Sequence, residues 1–317
     1  MCEAGTSQAV SSRHTVHSIP PHAYFVGSAI FHYLGPAFAV LLFAHVSVLG
    51  VAWLRIASAA AVFAVWKRPW RIFRELSAKD RGSVVALGLV LAGMNVCFYF
   101  AISQLSLGTV GSIEFLGPIA VAAYGSRTLR NIVALLLASG GVFVLTKLQL
   151  GGRSVGYLFA FANCALFILY VVLGHELAKR GASAGVDRLA IAMLVALIAV
   201  TPFSISEAAK TLFQPKLLLA GIGVGICSSV IPYVCDQFAM ARLSKPTFAV
   251  LLSLLPATAC LIGIIVLRQL PSLHELAGIG CVIIGVALRR TGDDLEPGKR
   301  SVSAAERMRK VALLSTN

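Results

Sequence analysis

The chain has 317 residues, of which 58% are hydrophobic and 13% charged, and its formal net charge is +14. A water-soluble chain carries about 25% charged residues because its surface must be hydrated, so the composition excludes an ordinary soluble domain and points to a surface that faces lipid. The basic balance does not signal nucleic acid, because the Lys and Arg residues sit in short loops and near the C-terminus, and no soluble segment carries a basic stripe interleaved with aromatics.

Residues 1–22 are polar, end in Pro20-Pro21 and lack the charged-then-apolar layout of a signal peptide. They are expected to form a cytoplasmic leader; His14, His17 and His22 there read as solvated residues or, at most, weak metal ligands. A spanning helix needs about 20 mostly apolar residues. That length predicts helices near 24–43, 46–66, 83–103, 107–125, 129–147, 154–174, 188–206, 217–237, 247–267 and 274–290. Residues 292–317 form a basic tail expected to lie against anionic headgroups on the cytoplasmic side.

Placing the N-terminus in the cytoplasm puts Lys147, Arg153, Lys210, Lys216 and Arg268 on the far side, with Arg55 inside a helix; every other Lys and Arg falls on the cytoplasmic side. An even number of spans with both termini inside is the consistent arrangement. The seven cysteines are odd in number, contain no CxxC, and mostly lie in apolar runs, where they act as small hydrophobes. No cofactor or metal site is expected, and no phosphate-binding glycine motif occurs.

The chain also repeats itself weakly. A shift of 138 positions places Leu105-Ser106 on Leu243-Ser244, Ala101 on Ala239 and Pro118 on Pro256. The expected organisation is two five-helix halves, 23–147 and 148–291. Because five is odd, the second half is inverted relative to the first, a geometry suited to alternating access around one central site.

Ionisable side chains inside the hydrocarbon cost about 2.5–3.5 kcal/mol on insertion scales and tend to mark pathways. Arg55, Glu114 and Asp236 are three such residues. Glu114, within Ser112-Ile-Glu-Phe-Leu-Gly-Pro118, can meet a substrate ammonium or take up a proton; alternatively it locks helices together by pairing with Arg55 or a backbone group. Arg55 can hold a substrate carboxylate or snorkel to the interface. Asp236 reads as a pathway residue or a helix–helix hydrogen bond. The 138-residue shift matches Gly93-Met-Asn95 with Ile231-Pro-Tyr233, making Asn95 and Tyr233 candidates to line one cavity or to bond between helices. Pro118, Pro232 and Pro256 each free a carbonyl inside a helix, which a membrane tolerates only beside protein or a wet cavity. Gly221-Ile-Gly-Val-Gly225 is expected to permit close helix packing.

The stretch Gly93-Met-Asn-Val-Cys-Phe-Tyr99, followed by Leu107-Gly108 and Glu114-Phe-Leu-Gly-Pro118, resembles the threonine and homoserine exporter branch of the EamA family, in the drug/metabolite transporter superfamily. Leu54-Arg55, Lys67-Arg-Pro-Trp-Arg71 and Ile231-Pro-Tyr-Val-Cys-Asp236 extend the match across residues 24–290. The resemblance implies an all-α integral membrane fold of about ten helices in two inverted EamA repeats, a bacterial inner-membrane location, and export of small amphiphilic metabolites such as amino acids, driven by protons. Carried over, Arg55, Asn95, Glu114, Tyr233 and Asp236 would line the central cavity. The chain departs from the family where a Gly-Glu pair commonly follows the ninth helix, since Leu267-Arg-Gln-Leu270 stands there, and Asp236 is shorter than the glutamate expected. The partners implied are a small-molecule substrate, the lipid bilayer and a coupling proton, with a homodimer left open and nucleic acid excluded. Two other readings stand beside this one: a drug, dye or nucleobase exporter of the same fold, and a membrane-embedded enzyme or partner-binding subunit.

Overall fold

In the computed structural model, residues 20–117, 129–147, 154–179, 181–243 and 254–288 are described. The leader up to residue 19, Pro118 and the tail from residue 289 lie outside the described residues, as do parts of the fourth and ninth predicted spans. The described residues are helical or in short connections, and the described part of each of the ten apolar runs is largely helical.

The helices are α1 (Pro21–Leu42), α2 (Val48–Lys67), α3 (Pro69–Glu75), α4 (Ala78–Ile102), α5 (Leu107–Glu114), α6 (Leu129–Lys147), α7 (Ser154–Ala178), α8 (Ala182–Leu212), α9 (Pro215–Gly225), α10 (Ile231–Met240), α11 (Leu254–Leu267) and α12 (Leu273–Ala287). A π-turn, Ile226–Val230, joins α9 to α10 in one span. Among the described residues, six spans are long and apolar enough to cross a membrane, and shorter apolar helices cover 132–145, 255–267 and 273–285. Large side chains such as Leu158, Ile198 and Phe203 are exposed on their outer faces, where a bilayer supplies the apolar solvent.

Helix ends follow local chemistry. Ser47, Ser77 and Ser106 cap α2, α4 and α5 by accepting the N–H groups of Gly50, Asp80 and Thr109 at 3.2–3.3 Å, each worth ~1 kcal/mol. Proline at N1 starts α1, α3 and α9, because its missing N–H is an orphan there anyway. For that reason α1 begins at Pro21 rather than 24. The loop expected after residue 66 contains α3, a short basic helix entered through the left-handed Arg68 (φ 49°); Arg81 donates to the carbonyls of Phe73 and Arg74 at its end. Lys67 pairs with Asp187 at 2.9 Å and ties α2 to α8.

The packing partners are exchanged when one half is swapped for the other. α4 packs on α7 as α10 packs on α1; α5 meets α7 as α11 meets α1; α4 meets α8 as α9 meets α2. The pairs α2–α8, α5–α11 and α6–α12 map onto themselves. This exchange of partners is what a pseudo-two-fold axis requires, and the polar residues lie where α1, α2, α5, α7 and α10 converge.

Glycine governs the closest approaches. A Cβ at Gly225 would fall 2.7 Å from the Arg55 carbonyl, and one at Gly221 would fall 2.8 Å from a Leu54 methyl, so both face α2, while Gly223 faces open space. Gly35 of α1 touches the π-turn, where a Cβ would lie 2.7 Å from the Ser228 nitrogen. The ninth-helix departure also has a structural reading. Gln269 Oε1 accepts the Leu107 N–H at 3.1 Å and Glu275 Oε1 accepts from the Ser106 hydroxyl at 3.3 Å, so an amide and a carboxylate both serve the N-terminus of α5.

Candidate functional site

Pro232 sets the geometry of the site. In a regular helix the N–H of residue 232 would bond the carbonyl of residue 228, and proline has none to give. The π-turn just before it, closed by Ile231 N–H to the Ile226 carbonyl, shifts the ladder and leaves the Ser228 carbonyl accessible. Arg55 of α2 fills the gap. Its Nη2 donates to the Ser228 carbonyl at 2.7 Å and its Nε to Ser229 Oγ at 2.8 Å, while Nη2 also reaches Tyr233 Oη at 3.4 Å. The guanidinium lies 5.3 Å from the centre of the Tyr99 ring, within cation–π range. Arg55 is 4% exposed. Arg55 is therefore an interior residue rather than one that snorkels.

Glu114, the last residue of α5, is equally buried. Tyr33 Oη of α1 donates to Oε2 at 3.0 Å, and Asn163 Nδ2 of α7 donates to Oε1 at 2.9 Å. The ion pairs among the described residues are Lys67–Asp187 and Lys179–Glu176; Arg55 and Glu114 form none. Both instead line one small cavity, together with His32, Met94, Asn95, Phe98, Asn163 and Tyr233. In this conformation its walls leave room for about one water molecule, so a larger ligand requires them to part.

Four of the five sequence candidates thus share one cavity, and Asn95 and Tyr233, matched by the repeat, meet there. Asn95 turns back on its own helix, with Nδ2 on the Leu91 carbonyl at 2.7 Å. Asp236 does not line the cavity. One turn beyond Tyr233, it accepts Ser28 Oγ at 2.5 Å and Tyr170 Oη at 2.8 Å, and Ser28 Oγ also bonds the Pro232 carbonyl at 3.2 Å. Glu114 and Asp236 therefore each join α1 to α7 through one donor from each helix. The order is reversed along the two helices: Ser28 works with Tyr170, and Tyr33 with Asn163.

Sequence reasoning missed His32, Tyr33 and Asn163. His32 sits among rings, 5.4 Å from Tyr33, 6.2 Å from Phe167 and 6.5 Å from Tyr233. The available signal was the one applied to Asn95, a lone polar residue inside a long apolar run; Asn163 in 154–174 carries it equally.

Chemically, the cavity offers one guanidinium and one carboxylate that do not neutralise each other. An unpaired buried charge is costly, and a ligand bearing both signs satisfies both. At 4 Å and an effective dielectric near 20, each such pairing is worth about 4 kcal/mol before desolvation.

Residues 154–290 match the EamA-like transporter family. The chain is 30% identical over 256 residues to the threonine/homoserine exporter RhtA of Escherichia coli strain K12, covering 78% of this chain and 84% of that protein. It is also 30% identical over 260 residues to RhtA of Salmonella typhimurium strain SL1344, covering 81% and 86%. A crystal structure with 19% sequence identity shares the fold at a TM-score of 0.56, covering 84% of this chain and 95% of that one.

Proposed function

We propose that this chain, which belongs to the EamA-like transporter family, is a secondary exporter of small zwitterionic amino acids such as threonine and homoserine. The chain is a multi-pass membrane protein of a transporter family, and the amino-acid cargo is our reading of the site. One observation carries it: Arg55 and Glu114 line the same small cavity without pairing to each other. The names of the relatives at 30% identity agree with that reading.

In this mechanism the substrate enters from the cytoplasm between the two halves, each a five-helix repeat, 23–147 and 148–291, with both termini in the cytoplasm. Its ammonium meets Glu114 and its carboxylate meets Arg55, whose backbone and hydroxyl partners on the π-turn fix the guanidinium in place. Rocking of the inverted halves about α1 and α7 exposes the cargo to the outside. Proton uptake at Glu114 or Asp236 releases the cargo and resets the carrier, which couples export to the proton gradient.

Efflux from proteoliposomes loaded with labelled threonine and homoserine, under an imposed pH gradient, tests this reading. Saturable, gradient-dependent efflux that is lost in Glu114→Ala is the expected result. No amino-acid movement from vesicles with verified insertion contradicts it.

A further inference from the structure

Asn163 is fully buried, lines the cavity, and uses only half of its amide. With Glu114 ionised, its Oε1 accepts a hydrogen bond from Asn163 Nδ2 at 2.9 Å. In that orientation Oδ1 has no hydrogen-bond partner. Buried acceptors are nearly always satisfied, and leaving one unmade costs appreciable free energy. An orphan acceptor on a cavity wall is therefore a place for a donor that the ligand brings.

In the zwitterion reading Glu114 already holds the ammonium, which leaves Oδ1 for a neutral donor elsewhere on the cargo. We propose that Asn163 is a specificity-determining residue: its Oδ1 accepts a hydrogen bond from the side-chain hydroxyl of the cargo, which selects hydroxyl-bearing amino acids over their apolar isosteres. This inference rests on the zwitterion reading of Arg55 and Glu114 and adds a third contact to it.

The physical basis of the selectivity is asymmetric. A cavity that merely has room for a hydroxyl discriminates weakly, whereas one holding a buried acceptor for it penalises the analogue that leaves the acceptor bare. Asn163 also supports Glu114, and that positioning role affects every amino acid alike. The ratio between two cargoes separates the roles.

The test uses threonine and valine, which differ by hydroxyl against methyl at equal size. Efflux of each labelled amino acid is measured from proteoliposomes containing the full chain, as wild type, Asn163→Leu and Asn163→Gln. Wild type is expected to favour threonine by about tenfold in efflux efficiency. Asn163→Leu is expected to bring the ratio near one, and Asn163→Gln, which keeps an amide, to retain part of it. Equal efflux of threonine and valine by wild type overturns the inference without any variant having to fold, as does an unchanged ratio in Asn163→Leu. If wild type moves neither amino acid, the export reading fails and this inference with it; if it moves both equally, the inference alone fails.

Discussion

Arg55 donates from Nη2 to the carbonyl of Ser228 at 2.7 Å, the carbonyl that Pro232 deprives of its helical donor. One side chain thereby satisfies a broken helix and presents a cation to the cavity. Arg55→Met should leave that carbonyl bare, a loss of about 1–3 kcal/mol. Pro232→Ala restores an N–H at the right register. Thermal unfolding in detergent should show a lowered Tm for Arg55→Met, partly recovered in the double variant, while threonine transport returns in neither. Strictly additive Tm changes would contradict the link.

Glu114→Gln keeps the size of the side chain and removes its charge. Threonine efflux should fall at least about tenfold, as expected when a buried charge-assisted contact is lost, and the residual flux should no longer follow the pH gradient. Full activity with unaltered gradient dependence would remove Glu114 from the transport path.

The glycine triplet of α9 offers a paired control. Gly225→Ala drives a methyl against the Arg55 carbonyl and Ser58, whereas Gly223→Ala meets open space. Overpacking of this kind costs about 1–3 kcal/mol, so Gly225→Ala should lower both Tm and transport while Gly223→Ala leaves both near wild type. Equal effects would mean that the close approach of α9 to α2 does not govern the position of Arg55.

Asp236 sits outside the cavity and holds α1 to α7 through Ser28 and Tyr170. Asp236→Leu strands both hydroxyls and should lower Tm, with Asp236→Asn milder because it retains an acceptor. Apparent affinity for threonine, from concentration-dependent efflux, should shift less in Asp236→Asn than in Glu114→Gln. A larger shift would make Asp236 a direct cargo ligand.

The membrane class, the helical runs and the buried charges were legible in the sequence because hydrocarbon length and the cost of intramembrane charge leave a one-dimensional trace. The pairing of Asn95 with Tyr233 was legible through the repeat, since two positions equivalent in inverted halves meet near the axis that relates them. Tyr33 and His32 were not, and Asn163 showed only as a lone polar residue in an apolar run. In a helix apolar on every side, a single polar residue carries no angular signal for the face it presents, and its partner is set by how α1, α5 and α7 converge. The separation of Asp236 from the cavity, one turn from Tyr233, rests on the same three-dimensional information. The π-turn was signalled only indirectly, by Pro232 inside a long span.

The central claim is that the cavity recognises a zwitterion through Arg55 and Glu114 together. The most direct measurement is calorimetric binding to the purified protein of threonine, its amide, which lacks the carboxylate charge, and N-acetylthreonine, which lacks the ammonium. The account predicts saturable binding of threonine and at least about tenfold weaker binding of each neutralised analogue, with Arg55→Gln no longer separating threonine from its amide. Equal binding of all three compounds would contradict it.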